Sequence, residues 1–263
     1  MYKDPEERIA RLSPAEKALS DFFFHMRGAA GACMFEVNLT RTMTFIEDQQ
    51  HKDLPRLTFT HVLIKACAEV LSIRPELGYR ISRYRLVRPS TIDIGVSVAG
   101  GRGGITPVVV IQSADKKELK EIMEELEREA KRVRQEEEKN LRTLSSWVRW
   151  IPFGMLRRWL VRLLFKRHRT IRELVGTFHI TNVGPLGVDL AFSPLVLATL
   201  MTVGQIRLRP TVKQGKVVIA PSSIISIQGD HRIVDGKRAA DFMKNLIAVL
   251  DAPERLLARG PDS

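Results

Sequence analysis

The heptapeptide Asp230-His231-Arg232-Ile233-Val234-Asp235-Gly236 sets an imidazole four residues ahead of a carboxylate. An unperturbed imidazole titrates at about 6.5, so it accepts a proton at neutral pH and can give it back. The pair has the makings of a positioned general base. Asp235 also immediately precedes Gly236 and a helical pattern, where a carboxylate caps a helix N-terminus. The two roles are compatible. Asp230 and Arg232 read as structural parts of the turn.

Such a base works only if flanking elements hold it. Upstream, Ile225 and Ile227 belong to an alternating apolar run, which predicts a strand. Downstream, Ala239, Phe242, Leu246, Val249 and Leu250 share one face of a predicted helix from Gly236 to Leu250. His231 is therefore expected at a strand-to-helix turn. A short helix capped by Asp251 and started by Pro253 closes the pattern.

Earlier segments supply the rest of the scaffold. Ser13-Pro14-Ala15-Glu16 reads as a capping box opening a helix to about Arg27. Cys33, Phe35, Val37 and Leu39 alternate with Met34, Glu36 and Asn38, which predicts a strand. A helix from about Phe59 to Ser72 presents Val62, Leu63, Ala66, Val70 and Leu71 on one side, and Pro75 follows its end. Ile92 to Val98 alternates again, Gly100 to Gly104 makes a turn, and Ile105 to Ile111 pairs back. Asp115 to Glu118 reads as the cap of a long helix with an apolar stripe from Leu119 to Val133. Short strands are predicted near 177–183, 198–203, 206–212 and 217–227, with Gln214-Gly215 as a turn. Helices mixed with largely antiparallel strands give an α+β fold.

Composition narrows the setting. At 263 residues, 44% hydrophobic and 27% charged, the chain suits a single globular domain spanning residues 1–263. The first fourteen residues lack an apolar core of signal-peptide type, and no stretch is long and apolar enough to span a bilayer. Cys33 and Cys67 are expected as buried, reduced thiols, consistent with a cytoplasmic setting. His25, His51, His61, His168 and His179 lack the surroundings of His231, and no histidine–cysteine spacing suggests a metal. No nucleic-acid motif is present.

The DHRxxDG pattern resembles the active-site motif of the 2-oxoacid dehydrogenase acyltransferase catalytic domain, a relative of chloramphenicol acetyltransferase. Gly176-Thr177-Phe178-His179-Ile180-Thr181-Asn182-Val183-Gly184 is similar to that family's GTFTISNLG, and Arg74-Pro75-Glu76-Leu77 to its PEL turn. Asp93 to Val98 and Ile105 to Val109 resemble its paired strands, and Ala114 to Lys117 the start of its next helix. The resemblance covers roughly residues 10–140 and 173–258.

It implies a two-layer sandwich with a mixed sheet, assembled as a homotrimer or a multiple of three with its sites between subunits. It implies acyl transfer between two thiols, typically coenzyme A and dihydrolipoamide, without a covalent acyl-enzyme. His231 would take the thiol proton, and Asp235 would organise that histidine. Thr181 stands where the family places a serine hydroxyl facing the tetrahedral oxyanion, a donor worth roughly 2.7–4 kcal/mol of barrier. The plainer reading of Thr181 is a strand residue in a sheet ladder. Glu16 stands where the family usually places an arginine, so that arginine's salt bridge to Asp235 is not implied. No lipoyl domain precedes the motifs. The expectation is thus a stand-alone acyltransferase using an acyl-CoA or acyl carrier protein donor. The alternatives are a dihydrolipoamide acyltransferase subunit served in trans by a lipoyl domain, and a non-catalytic trimeric scaffold or membrane-surface adaptor.

The chain departs most from that family at about 141–172, where an inserted segment carries nine basic residues and no acid. Without them the net charge of +12 falls to +3. All three tryptophans (Trp147, Trp150, Trp159) lie here; Met155, Leu156, Trp159, Leu160, Leu163 and Leu164 form one helical stripe, and Arg158, Arg162, Lys166 and Arg169 another. An amphipathic helix over 145–167 suits an anionic membrane surface or an acyl-carrying partner; packing on its own fold is the competing reading. Wild-type protein should bind anionic vesicles better than neutral ones and less well as salt rises, in a co-sedimentation assay. Serine at Trp159, Leu160 and Leu163 should abolish that binding. Loss of oligomerisation in the serine variant, with no wild-type vesicle binding, would identify the stripe as packing surface.

Overall fold

The computed structural model describes residues 8–11, 30–50, 56–82, 85–98, 106–150, 168–193 and 199–257. The expected helix over 13–27, the glycine turn at 100–104 and the stretch 151–167 of the insertion lie outside these residues.

In chain order the described elements begin with β1 (Arg8–Arg11), β2 (Ala30–Asn38), α1 (Thr40–Gln50) and α2 (Phe59–Ile73). A 3-10 turn at Pro75–Gly78 leads to β3 (Arg80–Ser82) and β4 (Arg85–Arg88), followed by β5 (Ile94–Ser97) and β6 (Val108–Ile111). Next come α3 (Leu119–Trp150), α4 (His168–Val175), β7 (Phe178–Asn182), β8 (Thr199–Val203), β9 (Arg207–Lys213) and β10 (Lys216–Asp230). α5 (Gly236–Leu250) and a 3-10 turn at Pro253–Leu257 follow.

A seven-stranded sheet runs β2-β10-β8-β7-β5-β6, with β9 on the first half of β10; β1, β4 and β3 form a separate small sheet. The main sheet is mixed: β5–β7 and β7–β8 are parallel, and the other pairs are antiparallel. The α+β expectation holds.

Strand parity divides this sheet into two unlike faces. Ile94, Val96, Phe178, Ile180, Met201, Val203, Ile225 and Ile227 point to one side and join the core with α2, α3 and α5. Phe178 and Phe242 of α5 stack at 5.5 Å between centroids and 30° between planes. α2 is buried nearly all round, including Lys65, whose Nζ donates to the carbonyls of Asp115 (3.3 Å) and Lys117 (2.7 Å).

Those bonds explain one correction. Asp115 does not cap the long helix, which begins at Leu119. Residues 112–116 form a turn through Ser113 at φ 48°, and Ala114 N–H is tied to the carbonyl of Ile92. Glu118 N–H instead donates to Glu121 Oε2 at 2.8 Å, the backward half of a capping box. The helix also outruns its apolar stripe, continuing 32 residues to Trp150. Residues 145–150 of the basic segment are therefore its last turns. No described helix is long and apolar enough to cross a membrane.

Truncating the fully buried Phe242 tests this core. Phe242→Ala should cost about 3–5 kcal/mol in reversible chemical denaturation, because the ring of Phe178 loses its partner and a cavity remains.

Candidate active site

β10 ends at Asp230, and the chain turns immediately: the Asp230 carbonyl accepts from Ile233 N–H and Val234 N–H, both at 2.8 Å. The Asp230 carboxylate accepts from Arg232 N–H at 3.1 Å and from Arg232 Nε at 2.8 Å, so both residues serve the turn as expected. Ile233 and Val234 are buried and pin the turn inward. His231 is exposed at its apex.

What lies under His231 is a neighbouring strand without a side chain. A Cβ on Gly31 of β2 would stand 2.8 Å from His231 Cδ2, and one on Gly229 of β10 would stand 2.6 Å from Val234 Cβ. Gly31 and Gly229 are register partners. The end of the sheet is therefore bare on the helix side, and the turn folds back onto it.

Asp235 takes extended backbone angles at the N-cap of α5, and its Oδ1 accepts from Arg238 N–H at 2.8 Å. The capping role is thus observed. It fixes where the turn ends and the helix begins. The Arg238 guanidinium donates to the carbonyl of Ile233 across the same turn.

Thr181 lies elsewhere. On β7 it is opposite Thr202 of β8, which is opposite Ser226 of β10. His231 is five residues beyond Ser226, about 16 Å at ~3.3 Å per residue, and two strand spacings add about 10 Å sideways. Thr181 also points away from the core, whereas His231 sits over the core-side face at Gly31. One chain does not bring the two groups to a common reacting atom.

Thr181 has close partners of its own. Ser97 Oγ lies 3.0 Å from Thr181 Oγ1 and 2.9 Å from His179 Nε2, and His179 Nδ1 lies 3.4 Å from the Val175 carbonyl. Burial pushes the His179 pKa below its ordinary value, with the Val175 carbonyl opposing that shift. Neither Ser97 nor His179 stands out in the sequence; the parallel pairing of two alternating segments brings them together, aligning Ser97 with Thr181 and Gly95 with His179. The other described histidine side chain, His61, completes a capping box, its Nδ1 accepting from Thr58 N–H at 3.2 Å. Asn182 ties the end of β7 to the start of α2 by donating to Thr60 Oγ1 at 3.0 Å. Cys67 is a free, buried thiol whose pKa burial pushes up; Cys33 is free and partly buried.

A mixed sheet backed by helices, with a histidine turn at the end of one strand, defines a fold found in known acyltransferases. The family described as 2-oxoacid dehydrogenases acyltransferase (catalytic domain) matches residues 27–141 and 167–258. The chain belongs to that family. The match passes over the middle of the basic insertion.

At the sequence level the chain is 28% identical to the dihydrolipoyllysine-residue succinyltransferase component of the 2-oxoglutarate dehydrogenase complex of Haemophilus influenzae. That match covers 83% of this chain and 46% of the relative. Its counterpart in Rickettsia felis is 26% identical, over 97% of this chain and 58% of the relative. The chain thus spans about half the length of these curated relatives. Among solved structures, a probable dihydrolipoamide acetyltransferase from Listeria monocytogenes superposes with a TM-score of 0.67 at 19% identity, over 97% of both chains. A chloramphenicol acetyltransferase superposes with a TM-score of 0.53 at 13% identity, over 92% of this chain and 100% of that one. The fold is of the chloramphenicol acetyltransferase type.

The cap role of Asp235 is separable from any role beside His231. Asp235→Ala should cost about 1 kcal/mol of stability, whereas Asp235→Asn, which still accepts from Arg238 N–H, should cost much less. Denaturation midpoints of the two variants decide it.

Proposed function

We propose that this chain transfers an acyl group between two thiols, one of them coenzyme A, with His231 as general base. The supporting observation is the seat of His231: an exposed imidazole at the apex of a hydrogen-bonded turn, over a strand position that has no side chain. Neutral His231 Nε2 or Nδ1 takes the S–H proton as the sulfur attacks the thioester carbonyl. The carbonyl oxygen becomes an oxyanion. Collapse breaks the old C–S bond, and the departing thiolate takes the proton back from the imidazolium, so the base is regenerated. A histidine matches this task because its pKa lies within about two units of a thiol's.

Thr181 of a second copy would supply the oxyanion donor. Separate faces and a separation on the order of 19 Å within one chain favour a site built between chains, and a homotrimer fits the family. The β9–β10 hairpin supports association: Leu208, Val212, Val217 and Ile219 share one side of the ribbon and are each at least 65% exposed. Such an apolar face suits contact with another copy.

The relatives named above act on dihydrolipoyllysine residues, which favours a lipoyl arm in trans as acyl acceptor or donor. An acyl carrier protein is the other thiol partner that the basic insertion suits. The domain reading is a single catalytic unit interrupted at about 141–172.

With succinyl-CoA and free dihydrolipoamide, His231→Ala should lower turnover 10²–10⁴-fold, with oligomer mass unchanged. Thr181→Val should be impaired alone as well. Co-assembly of His231→Ala with Thr181→Val subunits should restore about one quarter of wild-type sites, since each interface then draws its two residues from different chains at random. No restoration in verified mixed oligomers would overturn the shared site, and full activity of His231→Ala would overturn the base.

A further inference from the structure

The row Val175–His179–Ser97–Thr181 is a continuous hydrogen-bonded chain whose last member is a proposed oxyanion donor. Its geometry follows from strand pairing. β5 and β7 run parallel with Ser97 opposite Thr181 and Gly95 opposite His179, all on the face away from the core. Gly95 leaves room for the imidazole: a Cβ there would stand 2.8 Å from His179 Nδ1. The ring thus lies along the sheet and reaches Ser97 diagonally, at 2.9 Å.

Proton bookkeeping gives this chain a direction. A carbonyl only accepts, so the nitrogen facing Val175 is the N–H donor in the resting arrangement. A neutral imidazole has one N–H, so Nε2 is then the acceptor and Ser97 must donate to it. Ser97 Oγ in turn accepts from the Thr181 hydroxyl at 3.0 Å. The Thr181 hydrogen is consumed inside the chain, and only its lone pairs face the site. An oxyanion needs the opposite polarity. In the other neutral tautomer, reached when solvent water takes the Nδ1 proton and supplies one at Nε2, the imidazole donates to Ser97, Ser97 donates to Thr181, and the Thr181 hydrogen is released outward. The bond surrendered, Nδ1 to Val175, is the longest of the three at 3.4 Å, so reversal gives up little.

We propose that His179 is a positioning residue for the reaction: through Ser97, it sets whether Thr181 turns its hydroxyl hydrogen into the site or away from it. The proposal rests on the reading of Thr181 as an oxyanion donor. It extends that reading to two residues that touch no substrate. Because the chain acts in series, its members are not additive. A group that acts only when charge develops on the carbonyl oxygen affects kcat and leaves KM nearly unchanged.

The experiment is steady-state kinetics with succinyl-CoA and dihydrolipoamide on Thr181→Val, His179→Leu, Ser97→Ala and the His179→Leu/Thr181→Val double variant. Oligomer mass and Tm are measured for each. Thr181→Val should lose on the order of 10²-fold in kcat, as removal of one oxyanion donor does. His179→Leu and Ser97→Ala should each lose about tenfold or more with KM within about twofold. In the Thr181→Val background His179→Leu should cause no further loss. His179→Gln, whose carboxamide can donate to Ser97, should recover part of the kcat lost in His179→Leu. If His179→Leu fails to fold, Ser97→Ala alone and on Thr181→Val makes the same comparison. An impaired Thr181→Val beside an unimpaired His179→Leu and Ser97→Ala overturns this inference alone. So does an undiminished His179→Leu effect in the Thr181→Val background. Wild-type kcat in Thr181→Val overturns the oxyanion reading, and this inference with it.

Discussion

β10 is gripped on both edges over Ile225–Gly229, by β2 on one side and β8 on the other, and that double register is the constraint on which the site depends. Successive side chains on a strand point to opposite faces, so a slip of one residue would send Ile225 and Ile227 out of the core. The same parity dictates where β10 delivers its exit turn. Gly229 falls on the core side, beside Gly31, and the pair leaves the only kind of surface onto which Val234 and His231 can fold so closely. A methyl at either position would push against a side chain of the turn. The apolar core thus fixes the strand, the strand fixes the glycine pair, and the glycine pair fixes the imidazole.

Parity also explains how much of the molecule could be read in advance. Segments with a strong local signal are readable in advance: β2, α2, β5, the strands from β7 to β10, and α5 each carry apolar residues at regular short spacing. α1 is not. Its eleven residues are mostly polar, and Thr42 and Gln49 are buried beside Phe45 and Ile46, with the Thr42 hydroxyl donating to the Leu250 carbonyl at 2.6 Å. Its burial is made by tertiary neighbours, which no local window contains. β1, β3 and β4 are three or four residues each, too short to show a period, and β1 finds its partner β4 only far along the chain, where Arg8 pairs with Arg88. The start of α3 was misplaced because the competing claim on the Asp115 carbonyl comes from Lys65, fifty residues away.

The site divides along the same line. The placement of His231 and Asp235 is legible because both lie within one turn. That Asp235 caps α5 was equally visible, since a carboxylate ahead of a helical pattern has few other tasks. His179 was passed over because a histidine amid an apolar strand pattern has no neighbour in sequence to explain it. Its partner Ser97 is 82 residues upstream and becomes a neighbour only through the parallel pairing of β5 with β7.

The two halves of the proposed chemistry are therefore set by independent devices. The base is placed by a tight turn over a glycine pair, at the exposed end of β10. The hydroxyl is placed by a parallel strand pair at the middle of the sheet, where Ser97 and the partly buried His179 stand beside it. Neither device constrains the other within a chain, since they open to different faces and share no side chain. Each half can be rigid on its own account, and the proposed site leaves their convergence to the contact between copies. In the proposed site that division makes the contact surface as much a part of the apparatus as the histidine. Small displacements between subunits would alter the distance from base to oxyanion donor while leaving both local networks intact.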